Sequence, residues 1–242
     1  MTLNHVETDS TTILLIRHGE TAWNVERRLQ GHLDIGLNAE GERQAAALGA
    51  ALAGEHIDRV LSSDLARARH TAEAIVAARG LIVADTDPDL DPRAQADAAG
   101  AAVERDPHLR ERCYGGFEGM LYSEIAARFP REFAAWQARD IDAVLPPGKN
   151  QGETFRAFFA RTTTAILGHA ARHPGQTLAL VAHGGVLECA YRAALGLPLQ
   201  TPRDFKVHNA SINRFVVARG KLQLVSWGEI EHLRQVALDD LS

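Results

Sequence analysis

Leu14-Leu15-Ile16-Arg17-His18-Gly19-Glu20-Thr21 joins an apolar run of buried-strand character directly to a cation, an imidazole and a glycine. Side chains alternate between the two faces of a strand, so Arg17 and His18 can serve one ligand only where the chain has already left the ladder. Gly19 reads as the residue that permits that turn. Ligands of open α/β sheets sit outside the carboxyl ends of the strands, so this is where such a sheet places a reactive, anion-binding side chain.

Working outward, Ile13 to Ile16 is the first strand, and Asn38 caps a helix over residues 39–53 with Leu48 and Leu52 inward and Gly54 as its stop. Arg59 to Leu61 is a short strand, followed by Ser62-Ser63-Asp64 as cap candidates for a helix that runs to Gly80 at its C′ position. Leu81 to Ala84 reads as a further strand. Asp85 to Asp106, rich in Asp, Ala and Pro, reads as a solvated excursion with a helix-permissive stretch from Ala94 to Val103; a lid over the site is the lesser reading. Residues 122–139 form a helix interrupted by Pro130, with Phe129, Phe133 and Trp136 as a core stripe.

Beyond Pro146-Pro147-Gly148, a helix over 152–172 ends at His173-Pro174-Gly175, and Thr177 to Ala182 is a central strand covered on both faces. A helix from Gly184-Gly185 to Leu195 follows. Arg214 to Arg219 and Leu222 to Trp227 are two late strands joined through Gly220 as a hairpin. The alternation predicts an α/β, three-layer architecture with a mostly parallel central sheet and helices on both faces. We expect a single domain over residues 1–242, with 85–108 and 113–153 as cap or insert segments.

The chain has 242 residues, 45% hydrophobic and 24% charged, as an ordinary globular protein does. A net charge of −5 offers no general attraction for nucleic acid or an anionic membrane, so anion binding needs a local positive cluster. The 23 arginines against three lysines are compatible with guanidinium recognition of phosphate, but coding bias is the preferred explanation. Cys113 and Cys189 stand far apart in no metal or redox pattern, which fits a reducing compartment. Met1 to Thr12 has no secretory pattern and no apolar run approaches the length of a membrane span, so a cytoplasmic location is expected.

Three strand ends carry suggestive residues: Arg17 and His18 after the first, Arg67 after the second, and His183 with two glycines after Ala182. Helix N-termini would aim backbone N–H groups at the same place, which favours an anion. Phosphoryl transfer through a histidine suits this set. A neutral imidazole nitrogen attacks phosphorus when its other nitrogen donates to a fixed acceptor, and His18 is the candidate nucleophile. Arg17, Arg67 and a protonated His183 would stabilise the phosphoryl oxygens, with Asn24 as a neutral donor.

Glu111, before the Gly115-Gly116 turn, would give a proton to the leaving oxygen and later take one from water. No phosphate-binding Gly-Lys-Ser/Thr loop and no cluster of metal ligands is present, so neither metal nor cofactor is expected. The other histidines, among them His5, His32, His56, His70, His108, His169, His173 and His232, lack a site context. Arg27, Arg28, Arg69 and Arg112 read as solvated charge.

With these residues assembled, the chain resembles the histidine phosphatase superfamily, which contains cofactor-dependent phosphoglycerate mutases and related phosphatases. The resemblance rests on Leu15 to Thr21, Asn24, Gln30-Gly31, Ser62 to Ala68 with Thr71-Ala72, Leu109-Arg110-Glu111, and Val181 to Gly185. It implies a phosphoglycerate mutase-like fold and a phosphate pocket of Arg17, His18, Arg67 and His183. It further implies Glu111 as proton donor and Asn24, Gln30, Gly31 and Gly184 as substrate contacts.

Mutases carry Thr-Gly-Trp where this chain has Gln30-Gly31-His32, and Trp-Arg-Arg where it has Trp136-Gln137-Ala138-Arg139. Without the arginine pair phosphoglycerate is poorly held for reorientation, although Arg139 or Lys149 could supply a carboxylate contact. The expectation is a metal-independent phosphomonoester hydrolase acting on a small phosphorylated metabolite through a phosphohistidine. The alternatives are a cofactor-dependent phosphoglycerate mutase and, third, an inactive phosphate-binding scaffold. The resemblance also admits a homodimer.

Overall fold

The computed structural model describes residues 10–80 and 103–234. The expected strand Leu81 to Ala84, and residues 85–102 of the expected solvated excursion Asp85 to Asp106 with most of its helix-permissive stretch and its lesser reading as a lid, lie outside the described residues. In chain order the elements are β1 (Thr11–Arg17), α1 (Ala22–Val25), α2 (Ala39–Leu52), β2 (Arg59–Ser62), α3 (Ala66–Ala78) and β3 (Glu104–Arg105). Single 3-10 turns at Pro107–Leu109 and Gly115–Phe117 lead to α4 (Tyr122–Arg128) and α5 (Pro130–Gln137). The chain then forms α6 (Phe155–Arg172), β4 (Thr177–Ala182), α7 (Gly184–Leu195), β5 (Ile212–Ala218) and β6 (Lys221–Glu229).

The strands form one sheet in the order β3-β2-β4-β1-β5-β6, with β1 to β4 parallel and the β5–β6 hairpin antiparallel at one edge. The strand period separates its two faces. Leu14, Ile16, Val60, Ala179 and Val181 pack under α2 and α3 with Leu48, Leu52, Ile75 and Val76. Ile13, Leu15, Leu61, Leu178 and Leu180 face α6 and α7 with Phe158, Ile166 and Leu187. β1 and β4 are thus buried on both faces, which is why they read as continuous apolar runs. The three-layer, mostly parallel expectation holds.

Local signals explain most boundaries. Asn38 accepts from the Gly41 amide at 2.8 Å and starts α2. Gly80, at φ +68°, ends α3, and Pro130 sits at the first turn of α5, splitting the expected 122–139 helix. Several expectations need correction. Ser62-Ser63-Asp64 does not cap α3; Leu65 holds the cap position without a side-chain bond, and Asp34 accepts the Ala66 amide at 2.7 Å from a distant loop. The helix expected from 152 begins at Phe155 behind its cap Thr154. Arg219, placed in the hairpin strand, is in the turn: it and Gly220 have φ of 52° and 69°, the geometry of a tight primed turn. Phe129, Phe133 and Trp136 are not in the main core but half-buried around a smaller cluster of Leu29, Phe117, Ile125 and Leu145.

Candidate active site

Sheet register brings the strand ends together. Arg17 is opposite Ala182 in the parallel β1–β4 pair, so His18 and His183 fall side by side one residue further on, with ring centroids 5.2 Å apart. Ser62 is opposite Val181 on the other side of β4, and α3 starting four residues later sets Arg67 over the same point. The His18 amide donates to Ala182 O at 3.0 Å, and its carbonyl accepts from the Asn209 side chain at 3.0 Å, so the backbone of His18 is held from two sides.

Gly19 is required for a different reason from the one expected. It is not among the residues with positive φ; a Cβ there would come 2.5 Å from the Gly41 carbonyl of α2. The close approach lets the Gly19 amide donate to Thr71 Oγ1 at 3.0 Å, tying the loop after β1 to α3.

His18 Nδ1 donates to its neighbour's carbonyl, Gly19 O, at 2.6 Å, so Nε2 is the nitrogen left with the lone pair when the ring is neutral. Burial, then the guanidinium charges of Arg67 and Arg17, push its pKa well below the ordinary imidazole value. Arg67, 1% exposed, donates to Gly31 O at 2.8 Å and Leu33 O at 2.9 Å, while Arg17 donates to Val207 O at 2.6 Å. Burial lowers both guanidinium pKa values to about 10, which leaves them charged at neutral pH.

The Nε atoms of both arginines, both nitrogens of His183 and Gln30 Oε1 are buried without a partner among the described residues. The donors in this set, the two Nε–H groups and one N–H of a neutral His183, each cost about 1–3 kcal/mol unpaired, and an anion with several acceptor oxygens would satisfy them; Gln30 Oε1 is an acceptor and calls for a donor. His183 departs from expectation in charge: burial, then Arg67 and His18, hold it well below the usual imidazole pKa, so the protein's own charges keep it neutral.

Glu111 reaches the site through the N-terminus of α7, where the Gly185 amide donates to Oε2 at 2.9 Å, and the Arg112 amide donates to Oε1 at 2.8 Å. A Cβ at position 185 would lie 2.2 Å from Glu111 Oε1, so the second glycine of Gly184-Gly185 makes room for the carboxylate. Asn24 and Thr21 cap each other at α1: the Asn24 carbonyl oxygen accepts the Thr21 amide at 3.0 Å and the Asn209 side-chain amide at 3.2 Å.

A cavity of about 730 Å³ opens at these strand ends. Arg17, His18, Arg67, Glu111, Asn24, Gln30, Gly31 and Gly184 all line it; His183 lies beside it, fully buried. The rest of its lining mixes aromatic and charged groups: Trp23, Tyr114 and Tyr122, the last stacked on Trp136 at 5.4 Å, with Arg27, Arg28 and Arg203, so Arg27 and Arg28, read as solvated charge, border the cavity. A second space of about 360 Å³ shares Tyr114, Tyr122, Glu188 and Arg203 with it. Among the described residues no three of His, Cys, Asp and Glu are placed to hold a metal ion, and no helix is long and apolar enough to cross a membrane.

The family model described as the histidine phosphatase superfamily (branch 1) matches residues 13–95 and 92–230. The chain belongs to the histidine phosphatase superfamily. Phosphoglycerate mutase-like protein 4 of Arabidopsis thaliana is 34% identical over 95% of this chain and 90% of that protein. The metal-independent phosphoserine phosphatase of the same plant is 33% identical over 96% of this chain and 87% of that protein. The solved structure of Bacillus stearothermophilus YhfR is 31% identical, covers 92% of this chain and 99% of that one, and superposes with a TM-score of 0.73. The phosphoglycerate mutase-like fold expected from sequence is the one found, and this superfamily member is an enzyme of the phosphatase and mutase-like class.

Sequence reasoning missed residues that act through backbone carbonyls, which leave no motif. His32, read as lacking a site context, donates from Nε2 to Glu111 O at 2.8 Å. His169 is buried against Asp106 at 2.7 Å, behind the turn that leads to Glu111. Arg112, read as solvated, is 4% exposed and donates to Glu153 O at 2.9 Å. Arg139 is engaged by the Glu188 carboxylate and Leu199 O, and Lys149 is exposed and lines neither space, so neither stands ready as a substrate-carboxylate contact.

Proposed function

We propose that the protein is a metal-independent phosphomonoester hydrolase of a small phosphorylated metabolite, working through a phosphohistidine at His18. The observation that carries this reading is the His18 ring, neutral and donating from Nδ1 to Gly19 O, between two charged guanidinium groups. Nε2 forms a bond to phosphorus as the ester P–O bond breaks, and the leaving oxygen takes a proton from Glu111. Water then attacks phosphorus with Glu111 accepting its proton, and the N–P bond breaks as the new P–O bond forms, releasing inorganic phosphate and neutral His18.

Arg17 and Arg67 carry the charge of the equatorial oxygens, a share that a metal supplies in other phosphoryl-transfer sites. His183 is neutral in its own protein field, and a phosphate dianion supplies the opposite charge that draws a proton onto it. Asn24, Gln30, Gly31 and Gly184 are the proposed substrate contacts, with residues 113–153 as a cap over the leaving group. Water is the proposed acceptor because the Trp-Arg-Arg of the mutases is replaced by Trp136-Gln137-Ala138-Arg139, and Arg139 is already bound to Glu188, so that carboxylate clamp for reorienting a phosphoglycerate is absent from this segment. The two buried free thiols, Cys113 and Cys189, support a reducing, cytoplasmic setting.

A panel of phosphomonoesters hydrolysed in chelator, with phosphoglycerate isomerisation run in parallel, tests the reading. Hydrolysis without added metal, lost in His18→Ala, is expected. Isomerisation faster than hydrolysis by orders of magnitude would overturn it.

A further inference from the structure

Glu111 sits on a segment with no regular structure, between a single 3-10 turn and the Gly115 turn, yet a proton donor must hold its place to within a fraction of an ångström. The backbone carbonyls around it converge on one side chain. Arg161, on α6, donates from one terminal nitrogen to His108 O at 2.7 Å and Arg110 O at 3.1 Å. Its other terminal nitrogen donates to Glu111 O at 3.2 Å, and its terminal and ε nitrogens make a two-pronged pair with the Glu153 carboxylate, each at 2.7 Å.

Glu153 is in turn fixed to the same segment. Its Oε2 accepts the Cys113 amide at 2.9 Å, and its backbone amide donates to Cys113 O at 2.8 Å. Burial works to raise the Glu153 pKa, but hydrogen bonds from Arg161 and the Cys113 amide outweigh it and hold the carboxyl below its usual range. His32 closes the cage from the far side through Glu111 O. Arg161 is not among the residues lining the catalytic cavity.

We infer that Arg161 is a positioning residue for proton transfer: by gathering the carbonyls of residues 108, 110 and 111 it aims the Glu111 carboxyl at the leaving oxygen. The inference rests on Glu111 being the proton donor. It differs from a general stabilising role in one measurable respect. In kcat/KM, which reports the steps up to formation of the phosphohistidine, a misplaced acid harms those substrates whose leaving oxygen needs a proton, an alkoxide for instance, and spares nitrophenolate, which leaves as a stable anion.

The test measures kcat/KM for an alkyl phosphomonoester and for 4-nitrophenyl phosphate in the wild type, Arg161→Met, Arg161→Lys and Glu111→Gln. General acid catalysis contributes about 10²–10⁴-fold, so Glu111→Gln is expected to lose that much on the alkyl ester and far less on the nitrophenyl ester. Arg161→Met is expected to show the same selectivity at about 10–100-fold, with Arg161→Lys, which keeps a charge opposite Glu153 but loses the fork, in between.

Equal losses on both substrates in the arginine variants, alongside a selective loss in Glu111→Gln, would overturn the inference and leave the proton donor intact. A Glu111→Gln enzyme without selectivity would overturn the donor assignment and the inference with it. If Arg161→Met does not fold, Arg161→Lys carries the same comparison, and a uniform loss there counts against the inference.

Discussion

The floor of the site and its outer wall are built by different physics. The floor is the end of a fully buried parallel sheet, where Leu14, Leu15, Ile16, Leu180 and Val181 are 0% exposed and the register leaves His18 and His183 no other place to be. The wall, residues 113–153, rests on a small buried cluster of Leu29, Phe117, Ile125 and Leu145, with Tyr114, Phe129, Phe133 and Trp136 half-buried against it, Tyr114 edge-on to Trp136 and Tyr122 stacked on it. The groups proposed to act on phosphorus follow the sheet ladder directly. The groups proposed to meet the rest of the substrate are held by side-chain packing and by loop hydrogen bonds such as Gly119 N–H to Leu29 O at 2.8 Å and Gly116 N–H to Pro146 O at 2.7 Å, which sequence change alters at lower cost.

That contrast is open to attack from the floor upward. His18→Ala removes the proposed nucleophile and is expected to lower kcat by more than about 10⁴-fold on every phosphomonoester, as loss of a nucleophile does elsewhere. Gly185→Ala drives a Cβ to 2.2 Å from Glu111 Oε1 and is expected to reduce turnover of alkyl phosphomonoesters by about 10²-fold, the value of a general acid. Steady-state kinetics reads both, and wild-type rates in the glycine variant would show that Glu111 does not need the α7 N-terminus.

Trp136→Ala, in the wall, is expected to change kcat/KM for bulky substrates by about tenfold, or 1.4 kcal/mol, while leaving inhibition by inorganic phosphate unchanged. A comparable change in phosphate inhibition would show that wall and floor are not separable.

The smallest expected effect concerns pH and stability. His18 and His183 have folded-state pKa values well below the unfolded imidazole value, so in falling pH the unfolded chain takes up protons first. The folded protein therefore loses stability as pH drops below about 6.5, the unfolded imidazole value, until the lower folded pKa values are reached. The melting temperature of the ligand-free protein should fall over that window, less steeply in His183→Gln. An unchanged slope in that variant would contradict the burial-driven shift of His183.

The same contrast separates what the sequence made legible from what it did not. β1 and β4 stood out because a strand covered on both faces must be apolar at every position, and the two His-Gly steps follow directly at their ends. β3 did not, since Glu104 and Arg105 are two exposed charged residues paired only through their backbone. The start of α3 depends on Asp34, 32 residues away from the amide it accepts, so no local reading could find it. The aromatic spacing of 129, 133 and 136 was legible as an apolar face, but periodicity does not say whether that face meets the main core or a cap. Arg161, His32 and Asn209 hold carbonyls, and every residue offers a carbonyl, so nothing in their spacing marked them.

The most direct test of the floor's chemistry is to mix enzyme with a phosphomonoester for less than one turnover, quench in base, where a phosphohistidine survives, and locate the phosphoryl group by peptide mass spectrometry. The expected result is one phosphoryl group on the His18 peptide, absent from His18→Ala and longer-lived in Glu111→Gln, which lacks the base that activates water. A phosphoryl group on another residue, or full turnover with His18 never modified, would contradict it.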